Sequence, residues 1–171
     1  MRAALAIAAL SLVALTAAAG AQDLPRSPYY IEYRARTGGV LGHAYITYGR
    51  LDGAGRPLDQ HYAGLYPDDE YEDALMTLGP LISAPAHIRS ERKDWVTPPS
   101  AVYRRTLDAR QYARLEYFLH RMRSDKLRWH LVFHSCNDFV GEVARDQGLI
   151  IPLAWGSPTH FINTLRALNG R

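Results

Sequence analysis

The chain has 171 residues, 47% of them hydrophobic and 22% charged, which suits one domain of ordinary size and excludes both two full-sized domains and a disordered chain. Its formal net charge of +3 comes from basic residues dispersed among 17 acids, and without a basic patch or a phosphate-loop glycine pattern nucleic acid is not an expected partner. The single cysteine excludes an internal disulfide framework and a cysteine-rich zinc site.

Met1-Arg2 supplies a positive end, and Ala3 to Ala19 is apolar except for Ser11 and Thr16. Ala19-Gly20-Ala21 then fits a small-residue cleavage site, so residues 1–21 read as a signal peptide and residues 22–171 as one mature domain, periplasmic or secreted. Residues 22–28, with Pro25 and Pro28, read as a tether. Tyr29 to Ala35 reads as a strand, Thr37-Gly38-Gly39 as a turn, and Gly42 to Gly49 as a second strand. Asp52-Gly53-Ala54-Gly55 is a turn signal, with Leu58 to Leu65 as the return strand of a hairpin.

Asp68 to Leu78 is acidic at its start and apolar later, which fits a short helix or an ordered loop. Pro80, Pro85, Pro98 and Pro99 make residues 79–99 a long connection, with a short strand over Ala86 to Ser90. Residues 66–99 are the candidate lid. Ala101 to Leu107 is another strand. Asp108 then caps a helix, with Gln111 at the capping-box position and an apolar stripe of Tyr112, Leu115, Leu119 and Met122. Trp129 to Phe133 reads as a short strand, broken by His134-Ser135. Cys136 opens a helix ending at Gly148, and Ser157-Pro158 starts a last helix running to about Leu168. These elements predict an α+β fold, an antiparallel sheet packed with helices.

A lone thiol in an oxidising compartment is an inert buried side chain, an intermolecular disulfide or a nucleophile. Phe139, Val140, Val143 and Ala144 form one helical stripe, and Cys136 lies on the same face in the first turn. A helix N-terminus offers free N–H groups and a partial positive charge, which favour a thiolate and can hold an oxyanion. Asp138 opposes this with its own charge. The candidate base is His43, set between the small residues Gly42 and Ala44. His61 lies on the return strand; if the hairpin turn centres near Ala54, the two histidines share a sheet face, and His61 can orient His43.

Gly42-His43-Ala44-Tyr45-Ile46, then His61, then Ser135-Cys136-Asn137-Asp138-Phe139-Val140 resemble the pattern of circularly permuted papain-like hydrolases. That superfamily includes the NlpC-related amidases and the lecithin:retinol acyltransferase-like enzymes. The likeness spans roughly residues 29–152. It implies a permuted papain-like fold with the histidine strand before the cysteine helix, and a thiol hydrolase or acyltransferase that needs no cofactor. It also implies a peptide, cell-wall or lipid-amide substrate. Ser135 stands where the superfamily usually has asparagine, and His61 follows His43 at a longer interval than in the acyltransferase branch.

Two other readings stay open. One is a non-catalytic binding module on the same fold. The other is a metal protein using His43, His61 and His134, although no third ligand at diagnostic spacing accompanies His130 and His134. His160 reads as a lone histidine on an amphipathic helix. The clusters Arg104-Arg105 and Arg89 to Lys93 read as solvated faces that could touch an anionic envelope surface.

Overall fold

The computed structural model describes residues 28–38, 42–78 and 80–170. The expected signal peptide, most of the tether and the end of the 37–39 turn lie outside these residues. Among the described residues six strands form one antiparallel sheet: β1 (Tyr29–Arg36), β2 (His43–Arg50), β3 (His61–Pro67), β4 (Ala84–Arg89), β5 (Ala101–Leu107) and β6 (Leu127–Trp129). Their order across the sheet is β5-β1-β2-β3-β4-β6. The described residues also hold five helices: α1 (Glu72–Leu78), α2 (Arg92–Val96), α3 (Ala109–Ser124), α4 (Cys136–Asp146) and α5 (Pro158–Asn169). A 3-10 turn at Asp69–Tyr71 leads into α1. Among the described residues no helix is long and apolar enough to cross a membrane.

The strand sequences explain the two faces of the sheet. In β1, Ile31, Tyr33 and Ala35 alternate with Glu32, Arg34 and Arg36, and side chains on a strand alternate between faces. Tyr33 stands opposite Ile46 in β2 and Tyr103 in β5. The apolar sets therefore line up on one face, which α4 covers over β2 and β3 and α5 covers over β1 and β5. Burying such a face is the main favourable term in folding, about 25 cal/mol per Å² of apolar surface.

The opposite face is charged yet largely buried. Glu32 is 4% exposed and accepts hydrogen bonds from Arg34 Nε (2.6 Å), Arg104 Nε (2.6 Å) and Thr47 Oγ1 (3.2 Å). A buried carboxylate persists only when its acceptors are filled this way. Short α2 reaches the same face at the end nearer β3: Asp94 pairs with Arg36, and the Trp95 ring lies 6.0 Å from the Tyr62 ring.

The helix starts follow their capping residues. Gln111 N donates to Asp108 Oδ1 (2.8 Å) and Asp108 N to Gln111 Oε1 (2.9 Å), and Leu115, Leu119 and Met122 of the α3 stripe are buried. Ser157 Oγ accepts from His160 N (3.2 Å), with Pro158 at the first helical position of α5.

Two expectations need correction. The strand expected over Trp129 to Phe133 is instead β6 at Leu127–Trp129 followed by a tight turn, in which His130 and His134 exchange backbone hydrogen bonds of 3.0 Å. Val132 and Phe133 are exposed there, so the apolar run does not mark a core strand. The connection at 79–99 holds β4, starting at Ala84, and also α2, which no periodicity announces because five residues are too few to show one.

Candidate active site

The site lies at the end of the sheet where β2 begins and β3 finishes. Gly42 enters β2 with φ +72°, and a Cβ there would meet the Arg36 carbonyl oxygen at 2.7 Å, so the chain needs glycine to turn into the strand. His43 follows, 7% exposed. Its ring centroid lies 4.2 Å from that of Tyr66 and 6.0 Å from that of Tyr45. Nε2 is buried, without a hydrogen-bond partner, directly over Gly64: a Cβ at position 64 would come within 2.6 Å of it. Burial pushes the His43 imidazolium pKa down to about 3; the Asp94 carboxylate pulls it back up, and Arg36 adds to the lowering.

Asp94 is 2% exposed and accepts from Tyr66 OH (2.5 Å), Arg36 Nε (2.9 Å) and Glu91 N (3.1 Å). Its own backbone oxygen accepts from Tyr45 OH (3.3 Å). The bond from Glu91 is half of a capping box at the start of α2, so one carboxylate starts the helix and holds both Tyr66 and Arg36. Arg36 and Asp94 form a buried ion pair with two-sided hydrogen bonding, the arrangement in which such a pair is tolerated.

Cys136 is the first residue of α4 and is half-buried. Ser135 precedes it as the N-cap, and both its N–H (2.7 Å) and its hydroxyl (2.8 Å) donate to Asp138 Oδ2. Burial pushes the Cys136 thiol up, against the helix-terminus expectation. The backbone N–H groups of Ala44, Asn137 and Cys136 itself favour the anion, and the Asp138 charge opposes it. The site at rest therefore holds a neutral thiol and a neutral imidazole rather than an ion pair.

Cys136 and His43 line one cavity of about 720 Å³. Its apolar wall includes Leu65, Leu75, Trp129, Val132, Trp155 and Pro158. Its polar members include Arg36, Glu91, Lys93, Ser135 and Asn137. Asn137 is 4% exposed, and its Nδ2 donates to the carbonyl oxygens of Ala154 (3.1 Å) and Gly156 (3.2 Å), tying the loop before α5 to the start of α4. The imidazole of His43 is on the sheet face away from α4, and among the described residues no hydrogen bond joins it to Cys136. The sulfur instead lies by the N–H of Ala44, the next residue in the chain.

His61 is not brought to this site. It pairs with Tyr48, five residues along β2 from His43, roughly 17 Å away at about 3.4 Å per residue. An odd offset also reverses the face, so the His61 ring lies against Tyr48 on the face opposite His43. The turn that joins the strands does centre on Ala54, where Leu51 bridges Pro57, but the register shifts by one residue between that bridge and the Tyr48–His61 pair, and this turns His61 to the other face. The metal set of His43, His61 and His134 is separated for the same reason. Among the described residues no group of three metal-ligating side chains is close enough to hold an ion. His134 is occupied by the Arg128 carbonyl oxygen (2.5 Å) and by Glu142 (3.6 Å), whose hydrogen bond raises its pKa. His160 is exposed near Thr164.

Sequence reasoning missed Asp94, Tyr66 and Asn137. The Glu91–Asp94 spacing was the available signal for α2, and it is hidden inside a charged run. Comparison of the chain with protein-family models, with curated proteins and with solved structures gave no match.

Proposed function

We propose that this protein is an exported thiol hydrolase or acyltransferase of the permuted papain-like kind, cleaving an amide or ester through an acyl-cysteine. The observation that carries this reading is the placement of Cys136. Its sulfur sits at the first turn of α4 beneath three backbone N–H groups, in the wall of a cavity that His43 also lines.

The reaction follows from those groups. Cys136 Sγ bonds to the substrate carbonyl carbon while its proton passes to His43. Nε2 is covered, so Nδ1 is the nitrogen that takes the proton. Catalytic hydrogen bonds are often loose before substrate binds. The Cys136 N–H at the helix terminus holds the oxyanion. The carbon–nitrogen or carbon–oxygen bond then breaks, and the leaving group departs with the His43 proton. Water releases the acid, or a second nucleophile takes the acyl group. Asp94 replaces His61 in the supporting role: its charge favours the imidazolium that burial resists. The export reading rests on residues 1–21 alone, and the substrate belongs to the envelope, as a peptide, a cell-wall amide or a lipid amide.

Incubation with p-nitrophenyl acetate tests the chemistry. The expected result is an acetyl group on Cys136 by mass spectrometry, absent in Cys136→Ala and formed at least tenfold more slowly in His43→Ala. Acetylation elsewhere, or none, returns the protein to the binding-module reading. Iodoacetamide alkylation of Cys136 should show an apparent pKa above the ordinary thiol value of about 8.5, because burial outweighs the N–H groups. A value below 8 would mean that a resting ion pair exists.

A further inference from the structure

The walls of the cavity carry a preference of their own. Most of its polar side chains are already engaged inside the protein. Arg36 and Tyr66 are held by Asp94, Ser135 by Asp138, and the Asn137 amide nitrogen by two loop carbonyls. Glu91 is bound to Arg89 and to the α2 capping box. Of the buried polar atoms of the lining, His43 Nε2 and Asn137 Oδ1 have no partner and both are covered, while Lys93 is exposed to solvent. An extended peptide brings one N–H and one C=O per residue, and each needs a partner when buried. A hydrocarbon chain needs none.

The mouth points the same way. Trp155 and Val132 line the cavity and are 74% and 38% exposed. Beside them in the chain, Leu153 is 83% and Phe133 77% exposed. Two separate loops thus present bulky apolar side chains to water around an opening with a nucleophile in its wall. Concentrated exposure of this kind marks a surface that receives an apolar partner.

We infer that the cavity is an acyl-chain site, and that the substrate is a long-chain acyl amide or ester whose hydrocarbon tail fills the Leu65–Leu75–Trp129–Val132–Trp155 wall with its carbonyl at Cys136. This rests on the acyl-cysteine chemistry proposed above and selects one substrate class from those it allows. The chain supplies binding by burial, and the reactive carbonyl is the one polar group that must be met inside.

The test uses the purified full chain and p-nitrophenyl esters from acetate to decanoate, each below its micelle concentration. Each buried methylene contributes about 0.8 kcal/mol, so kcat/KM should rise roughly fourfold per added carbon until the cavity is full. Val132→Glu and Trp155→Glu, at exposed positions where folding tolerates a charge, should flatten that slope. A flat slope in the wild type with acetylation of Cys136 intact would overturn the acyl-chain site and leave the thiol chemistry standing. Cleavage of unacylated peptides as fast as decanoate would overturn it too. Failure of every ester to acylate Cys136 overturns both.

Discussion

His43 carries the clearest pH signature in the molecule. Its pKa is near 3 when folded and about 6.5 when unfolded, so unfolding takes up a proton below pH 6.5. The stabilising effect of the neutral ring is complete above about pH 6.5 and is lost as pH falls toward 3, at about 1.4 kcal/mol per pH unit. Urea unfolding at pH 6.5 and pH 5 should therefore differ by about 2 kcal/mol from this group, and His43→Gln should remove that difference. Gly64→Ala probes the same ring from below. The new Cβ would stand 2.6 Å from Nε2, so the imidazole must move. We expect a loss of about 1–3 kcal/mol from overpacking and a larger loss of acylation rate than stability alone explains. Asp94 supports both the fold and the imidazolium. Asp94→Ala breaks a buried ion pair and should cost about 3–5 kcal/mol in denaturant titration. Asp94→Asn also leaves Arg36 unpaired and sets a donor among the groups that donate to Asp94, so it should lower both stability and the acylation rate.

At the scale of elements, the helix starts were the most legible features. Asp108 with Gln111, and Ser157 with Pro158, name their helices because capping is a local transaction between neighbours in sequence. Asp108→Ala should cost about 1 kcal/mol by thermal unfolding, with the acylation rate unchanged, since α3 starts away from the cavity. The strands with clean alternation, β1, β2 and β5, were legible for the same reason. The elements misread were those whose local signal belongs to another task. Leu131 and Val132 line the cavity and Phe133 beside them is exposed, so this apolar run does not form a core strand. Helix α2 exists because Asp94 meets Arg36 and Tyr66 from distant strands. Five residues could not hold a helix alone, given the cost of nucleation.

For the whole molecule, the sheet order decides what the site contains. β2 lies third and β3 fourth in the six-stranded sheet, so the end of β2 is flanked on one face by α4 and on the other by α2. Cys136 arrives from the first side and Asp94 from the second, and His43 stands at the strand end between them. The sequence by itself determined strands β1, β2 and β5, helices α3 and α5, and the first-turn position of Cys136. These depend on alternation, capping and backbone conformation, all of short range. Only the tertiary structure decided that His61 faces away, because the register shifts by one residue between the Leu51–Pro57 bridge and β3, and such a shift reverses a strand's faces. It also decided that Cys136 and His43 rest uncharged, because desolvation depends on what other elements lay over a group, and those elements come from far along the chain.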